Sequence, residues 1–439
     1  MERDLLAHGL GGAKDLPISP ELAIAGAVAA LVVSFTVLAL AWRTPRFDRP
    51  SGRPAPAWLS TAVDSAWFTV LTRALGLALF GWFVMAAVLG ENLLINPALG
   101  MFYVLLWVGL VPLSLVFGPA YKALSPVRTL HAGLVRLTGS DPREGLRAYP
   151  ERLGYWPAAL GLFSFVWLEL VHPDSTQLGT VRLWVAIYVA VMLLGGAVYG
   201  SRFFERADPF EVYSTLVGHL SVWGRRDGEL VLRSPLANLA TVPALPGLVA
   251  VVAVLFGSTG FDSFRESPPW LRFVQDSTVD SALLGTAALV VFCVGVGLVL
   301  TVATVATGVG DDLERRRLPS LFAHSMVPII VGYVVAHYLS YFVEYGQVTL
   351  AQMSDPFSQG DNLLGTADWQ VNRWLSYHPT TLANIKVLGV VLGHVLGVVA
   401  AHDRAVGLLP RRHQLTGQLP LLFAMVGFTA GGLYLLFAA

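Results

Sequence analysis

The sequence predicts an all-α fold, a polytopic transmembrane bundle of about ten helices with the N-terminus and the C-terminus outside. Three observations carry that expectation. Hydrophobic residues make up 55% of the 439 and charged ones 13%, with mean hydropathy +0.62, a balance that an ordinary soluble domain does not have. The apolar residues fall in continuous stretches of membrane-spanning length rather than in alternation, which suits helices that close their own hydrogen bonds in hydrocarbon and not a barrel. The arginines and lysines occupy every second polar segment between those stretches.

The stretches lie at roughly 20–42, 66–90, 98–118, 154–171, 181–200, 243–258, 280–307, 320–347, 379–401 and 418–439. Counted from the N-terminal tail, the even segments around them hold 21 Lys/Arg and the odd ones five; Arg73, Arg182 and Lys386 lie within or at the ends of helices. Basic residues mark the inner side of a membrane, so the alternation places both termini outside after ten crossings.

Each stretch adds something. The first follows a polar tail directly and, at about 22 residues, is too long and wrongly flanked for a cleaved signal peptide; it reads as an uncleaved anchor. In the second, Arg73 lies close enough to the inner end to snorkel to the interface. The third and fifth lead into the two larger inner loops, roughly 119–153 and 201–242, whose mixed apolar and basic residues at helical spacing predict amphipathic helices along the inner face. These loops resemble each other: Gly118-Pro119 runs to Ser125-Pro126, and Gly200-Ser201 runs to Asp208-Pro209. Cys293, in the seventh stretch, is the one cysteine, which excludes an internal disulfide framework and a multi-cysteine metal site. Pro112, Pro328, Gly295, Gly297, Gly389, Gly393 and Gly397 predict bends or close helix packing. No outer segment is long enough for a folded extramembrane domain, so residues 1–439 read as a single integral membrane domain. Zero net charge gives no pointer to nucleic acid; the expected partners are the lipid bilayer and a small-molecule substrate arriving from outside or through the lipid.

Ionisable side chains inside a membrane are costly and mark functional positions. Glu169 and His172 stand three apart at the outer end of the fourth helix, and Tyr333, His337, Tyr341 and Glu344 form a stripe along the eighth. His378 opens the ninth helix at the same surface, and His8 lies on the outer tail. Glu169, His172, His337, His378 and His8 are therefore the candidate ligands of a divalent metal, zinc or similar, that would activate water; Glu344 and Lys386 are the candidate catalytic groups beside it. The competing reading is structural: Glu169 and His172 in the headgroup zone, His337 hydrogen-bonded to a neighbouring helix, and Lys386 paired with Glu169 or Glu344. A second group, His324 with His394 or His402, lies toward the inner end and suits a proton relay. Along the chain no Ser-His-Asp order, nucleophile elbow, phosphate loop or dinucleotide fingerprint stands on a supporting element.

Four runs, His8-Gly9-Leu10-Gly11-Gly12, Trp167-Leu168-Glu169-Leu170, Ala207-Asp208-Pro209-Phe210 and Ala336-His337-Tyr338, resemble a family of polytopic prokaryotic membrane proteins usually named fenitrothion hydrolase. The resemblance implies a membrane-bound hydrolase of organophosphate-type esters and a histidine near the mature N-terminus, and it carries over no catalytic residues. Three readings stand open: a metal-dependent ester hydrolase in the cell membrane, an ion- or proton-coupled transporter, and a non-catalytic scaffold for a membrane complex.

Overall fold

The computed structural model describes residues 15–47, 52–307, 314–410, 413–414 and 416–438. Among them, nine helices are long and apolar enough to cross a bilayer, and a bent pair makes a tenth. In chain order these are α1 (Pro20–Ala41), α2 (Ala66–Leu89), α3 (the pair Pro97–Val108 and Leu110–Phe117), α4 (Trp156–Leu170), α5 (Leu178–Tyr199), α6 (Leu248–Arg265), α7 (Ser281–Val305), α8 (Met326–Gln352), α9 (Pro379–Leu408) and α10 (Leu419–Ala438). The chain is thus a predominantly helical, multi-pass membrane protein.

The described chain divides into two compact units. The first comprises residues up to Ser51, Leu239–Tyr341 and Arg373–Ala439; the second comprises Gly52–Asn238 and Phe342–Asn372.

In the first unit α6 packs on α7, and α1 packs on α9 and α10. Helix α9 lies close against α8 because glycines line the seam: a Cβ on Gly393 would sit 2.5 Å from the Pro328 carbonyl, and one on Gly332 2.4 Å from the Gly389 carbonyl. Such contact is the usual use of small residues between membrane helices. Gly295 on α7, expected to pack in the same way, faces open space instead. At the far end of α9, Asp403 receives the Trp42 indole N–H (3.0 Å) and the backbone N–H groups of Arg46 and Phe47, tying the segment after α1 to this helix.

In the second unit α3 bends by 42° at Gly109, after a π-helical stretch from Met101 to Val108. Pro112 supplies the cause, since it cannot donate to the carbonyl of Val108 one turn back. A Cβ at Gly109 would lie 2.3 Å from the Leu105 carbonyl, so the bend has room for glycine only.

The two larger loops, expected to lie along a surface, pack differently. Each begins with a glycine at positive φ (Gly118, 77°; Gly200, 65°), forms a short helix (Ala120–Leu124; Ser201–Ala207), and restarts at a capping Ser-Pro or Asp-Pro. Ser125 accepts from the Arg128 N–H, and Asp208 from those of Phe210 and Glu211, with proline at the first helical position in both. Pro126–Leu137 keeps an amphipathic face, whereas nine of the ten residues of Pro209–Gly218 are buried, against α3, α4 and Ala120–Leu124. A small antiparallel sheet follows, Trp223–Arg226 and Glu229–Leu232 about an Asp227-Gly228 turn, with Arg53–Pro54 on its other edge.

Candidate functional site

A group of buried polar side chains in the first unit lies between α6 and α8. Helix α6 runs on to Arg265, past the point where its continuous apolar stretch ends, so Ser258, Thr259, Asp262 and Ser263 stay helical on one face. All four are at most 2% exposed. Opposite them, α8 presents Tyr333, His337 and Tyr338, each at most 3% exposed.

Asp262 is the centre. One carboxylate oxygen, Oδ2, accepts from Nε2–H of His337 at 3.0 Å and from the Tyr338 hydroxyl at 2.7 Å. The other, Oδ1, takes Nε of Arg265 at 2.9 Å, one turn further along the same helix. A carboxylate in so apolar a setting persists only when it is paired and hydrogen-bonded, and the two hydrogen bonds to Oδ2 with the Arg265 ion pair at Oδ1 meet that requirement. From His337 the contacts continue inward: Nδ1 lies 3.1 Å from Oγ of Ser263, Ser263 lies 3.0 Å from the Tyr333 hydroxyl, and Tyr333 donates to the Gly432 carbonyl of α10 at 3.3 Å. Arg265, with its side chain 30% exposed, is ion-paired to the Asp262 end of a hydrogen-bonded chain whose other end is inside the bundle.

Glu266 caps this end of α6. Burial pushes its carboxyl above the usual range and nearby Asp262 adds to that, while the positive charges of Arg265 and Lys386 oppose it. Lys386, 3% exposed on α9, has Glu266 and Asp15 among its acidic neighbours.

Of the residues expected at the metal site, His337 and His378 lie in the first unit and Glu169, His172 and Glu344 in the second. His337 has both ring nitrogens engaged, Nε2 with Asp262 and Nδ1 with Ser263. His378 is exposed, stacks on Trp374 at 4.3 Å and donates from Nδ1 to the Trp374 carbonyl. In the second unit, His172 accepts the Asp174 N–H on Nδ1 and packs edge-on to Trp167; Glu169 is half-buried with Tyr213 as a neighbour, and Glu344 is buried on the last part of α8. His8 lies outside the described residues. Among the described residues no group of three or more His, Cys, Asp or Glu is placed to hold a metal ion. In the expected inner cluster, His402 contacts Gln418 and the Trp42 carbonyl, and His394 is buried with no partner for its Nε2 among the described residues.

The chain order offered no Ser-His-Asp arrangement, yet space does: Ser263, His337 and Asp262 are hydrogen-bonded in that sequence. The signal was present in α6, where Ser258, Thr259, Asp262 and Ser263 recur at the spacing of one helical face, as Tyr333 and His337 do in α8. Comparison with known protein families, with curated proteins and with solved structures finds no match for this chain.

Proposed function

We propose that this protein is a proton-coupled membrane transporter whose proton-handling centre is the Asp262–His337 pair. The observation that carries the reading is the run of hydrogen bonds from Asp262 through His337 and Ser263 to Tyr333, buried among apolar helices, with Arg265 ion-paired to Asp262. Ionisable groups at membrane depth are retained where they move charge.

The chain can change its proton content without moving heavy atoms. With neutral His337, Nε2–H donates to Asp262 and Nδ1 accepts the Ser263 hydroxyl proton. When the imidazole takes a second proton, Nδ1–H donates to Ser263, and the Ser263 O–H turns toward the Thr259 carbonyl, 3.4 Å away, or toward Tyr333. In the first state the Tyr333 O–H donates to Ser263, and in the second it turns to the Gly432 carbonyl. A proton delivered to one nitrogen of His337 and released from the other advances along the chain, and the hydroxyl rotors must turn back before the next one. The test is proton uptake into proteoliposomes under an imposed gradient: His337→Gln and Asp262→Asn should each reduce it at least tenfold, and flux unchanged in both variants would sink the proposal.

A second reading rests on the same atoms. Serine, imidazole and carboxylate in hydrogen-bonded order are the parts of a nucleophilic hydrolase, here with the roles of the two ring nitrogens exchanged relative to the usual triad. That reading agrees with the ester-hydrolase expectation but assigns the chemistry to Ser263 instead of a metal. A fluorophosphonate probe decides it, because covalent labelling of the wild type that vanishes in Ser263→Ala requires an activated, accessible serine.

A further inference from the structure

The second unit contains a cavity of about 210 Å³ between α2, α3, Ala120–Leu124 and α5. Its walls are hydrocarbon and aromatic, with Phe83, Phe102, Leu106 and Trp184 among them, and its hydroxyls come from Tyr121 and Tyr188. The Trp184 indole N–H is committed to Ser164 at 3.3 Å. The two tyrosine hydroxyls lie 3.1 Å apart, and that of Tyr188 donates to Oδ2 of Asp208 at 3.0 Å. Asp208 is fully buried, and its Oδ1 is held by the N–H groups of Phe210 and Glu211 at the start of their helix. Once ionised, the carboxylate orients the pair: Tyr188 gives its proton to Asp208, Tyr121 gives its proton to Tyr188 or to the adjacent Ser125, and the Tyr121 oxygen keeps lone pairs.

An apolar pocket with a few convergent polar groups is the usual form of a small-molecule site. We propose that this cavity binds a membrane-soluble small molecule with a ring-sized apolar body and one hydroxyl, which donates to Tyr121. The size follows from the volume: a dry cavity of about 150 Å³ accepts benzene, so this one holds about eight or nine non-hydrogen atoms. That is an alkylated phenol or a compact alcohol, and far less than the two acyl chains of a lipid. The donor follows from the hydroxyl chain, which ends on an acceptor.

4-Ethylphenol and 4-ethyltoluene have the same size and differ in the hydroxyl, so they separate the polar contact from partition into lipid. Titrated into the protein in nanodiscs, with the signal of Trp184 taken as the difference between wild type and Trp184→Phe, the phenol should saturate and bind about three- to tenfold more tightly than the toluene. Tyr121→Phe should bring the two to equal affinity, and Leu106→Trp, which fills the cavity, should abolish both. The Tyr121→Phe comparison keeps the test valid if Leu106→Trp fails to fold. A response that never saturates, or equal affinity for the two probes in the wild type, would overturn the proposal. So would a lipid that resists delipidation in the wild type and is lost from Leu106→Trp.

Discussion

Nε2 of His337 and Oδ2 of Asp262 lie 3.0 Å apart inside the bundle, on helices 75 residues apart in sequence. The same carboxylate oxygen holds Tyr338, so removing Asp262 strands two buried donors at once. Asp262→Ala should destabilise the first unit by about 1–3 kcal/mol for each donor left without an acceptor, read as a large fall in unfolding temperature in detergent. Asp262→Asn retains one acceptor and should cost less, while Tyr338→Phe removes a single hydrogen bond and should cost about 1 kcal/mol.

Arg128 and Glu211 join the two similar loops of the second unit. The guanidinium meets the carboxylate at both oxygens, 3.0 and 2.7 Å, with the Glu211 side chain 2% exposed. Breaking a buried pair leaves a charge without compensation, and Arg128→Ala should cost about 3–5 kcal/mol. Arg128→Met combined with Glu211→Leu removes both charges and should recover most of that loss. A double variant as unstable as Arg128→Ala alone would show that the pair does more than neutralise itself.

Asp208 gives the second unit a pH dependence. Burial, first, and the neighbouring Glu211 push its carboxyl up from 3.8 to about 7, against the hydrogen bonds from Tyr188, Phe210 and Glu211 that favour the charged form. Arg128, paired with Glu211, is the positive charge nearby. The folded chain thus holds the proton that an unfolded chain has already lost between about pH 4 and pH 7. Stability from this group is complete below the lower value and is lost as pH rises through the upper one. Asp208→Asn keeps the helix cap and cannot ionise, so the difference between its unfolding temperature and that of wild type should rise steadily in favour of the variant from about pH 4 to about pH 7. A constant difference across that range would assign the effect to something other than ionisation.

The glycine seam between α8 and α9 separates packing glycines from idle ones. Gly393→Ala forces a methyl against the Pro328 carbonyl and should lower the unfolding temperature sharply. Gly295→Ala meets nothing within 4 Å and should be neutral or stabilising by up to about 1 kcal/mol, the helix-propensity difference.

The helices themselves were legible because a continuous apolar run has few other uses, and hydropathy located nearly all of them. What it concealed was the polar end of α6. A sliding reading of apolarity stops where Ser258 and Thr259 begin, although those residues face inward, in a helix whose membrane-length window is 72% buried, and the helix continues through Asp262 to Arg265. Apolarity therefore picks out His337 but leaves Asp262 and Ser263 beyond the end of the sixth stretch. Along α8, Tyr333 and His337 of the stripe share one chain of hydrogen bonds, and Tyr338, one position off it, reaches Asp262. Buried Pro209–Gly218 escaped for the opposite reason, because its charged residues suggested a surface while Glu211 is neutralised by Arg128 from another loop. Partners supplied from distant segments leave no local trace in periodicity.

The most direct measurement is proton flux in proteoliposomes containing wild type, His337→Gln or Asp262→Asn at matched incorporation. A transporter built on this pair gives gradient-driven proton uptake in the wild type that falls at least tenfold in both variants. Equal uptake in all three preparations, or none above empty liposomes in the wild type across pH and solute gradients, would contradict it.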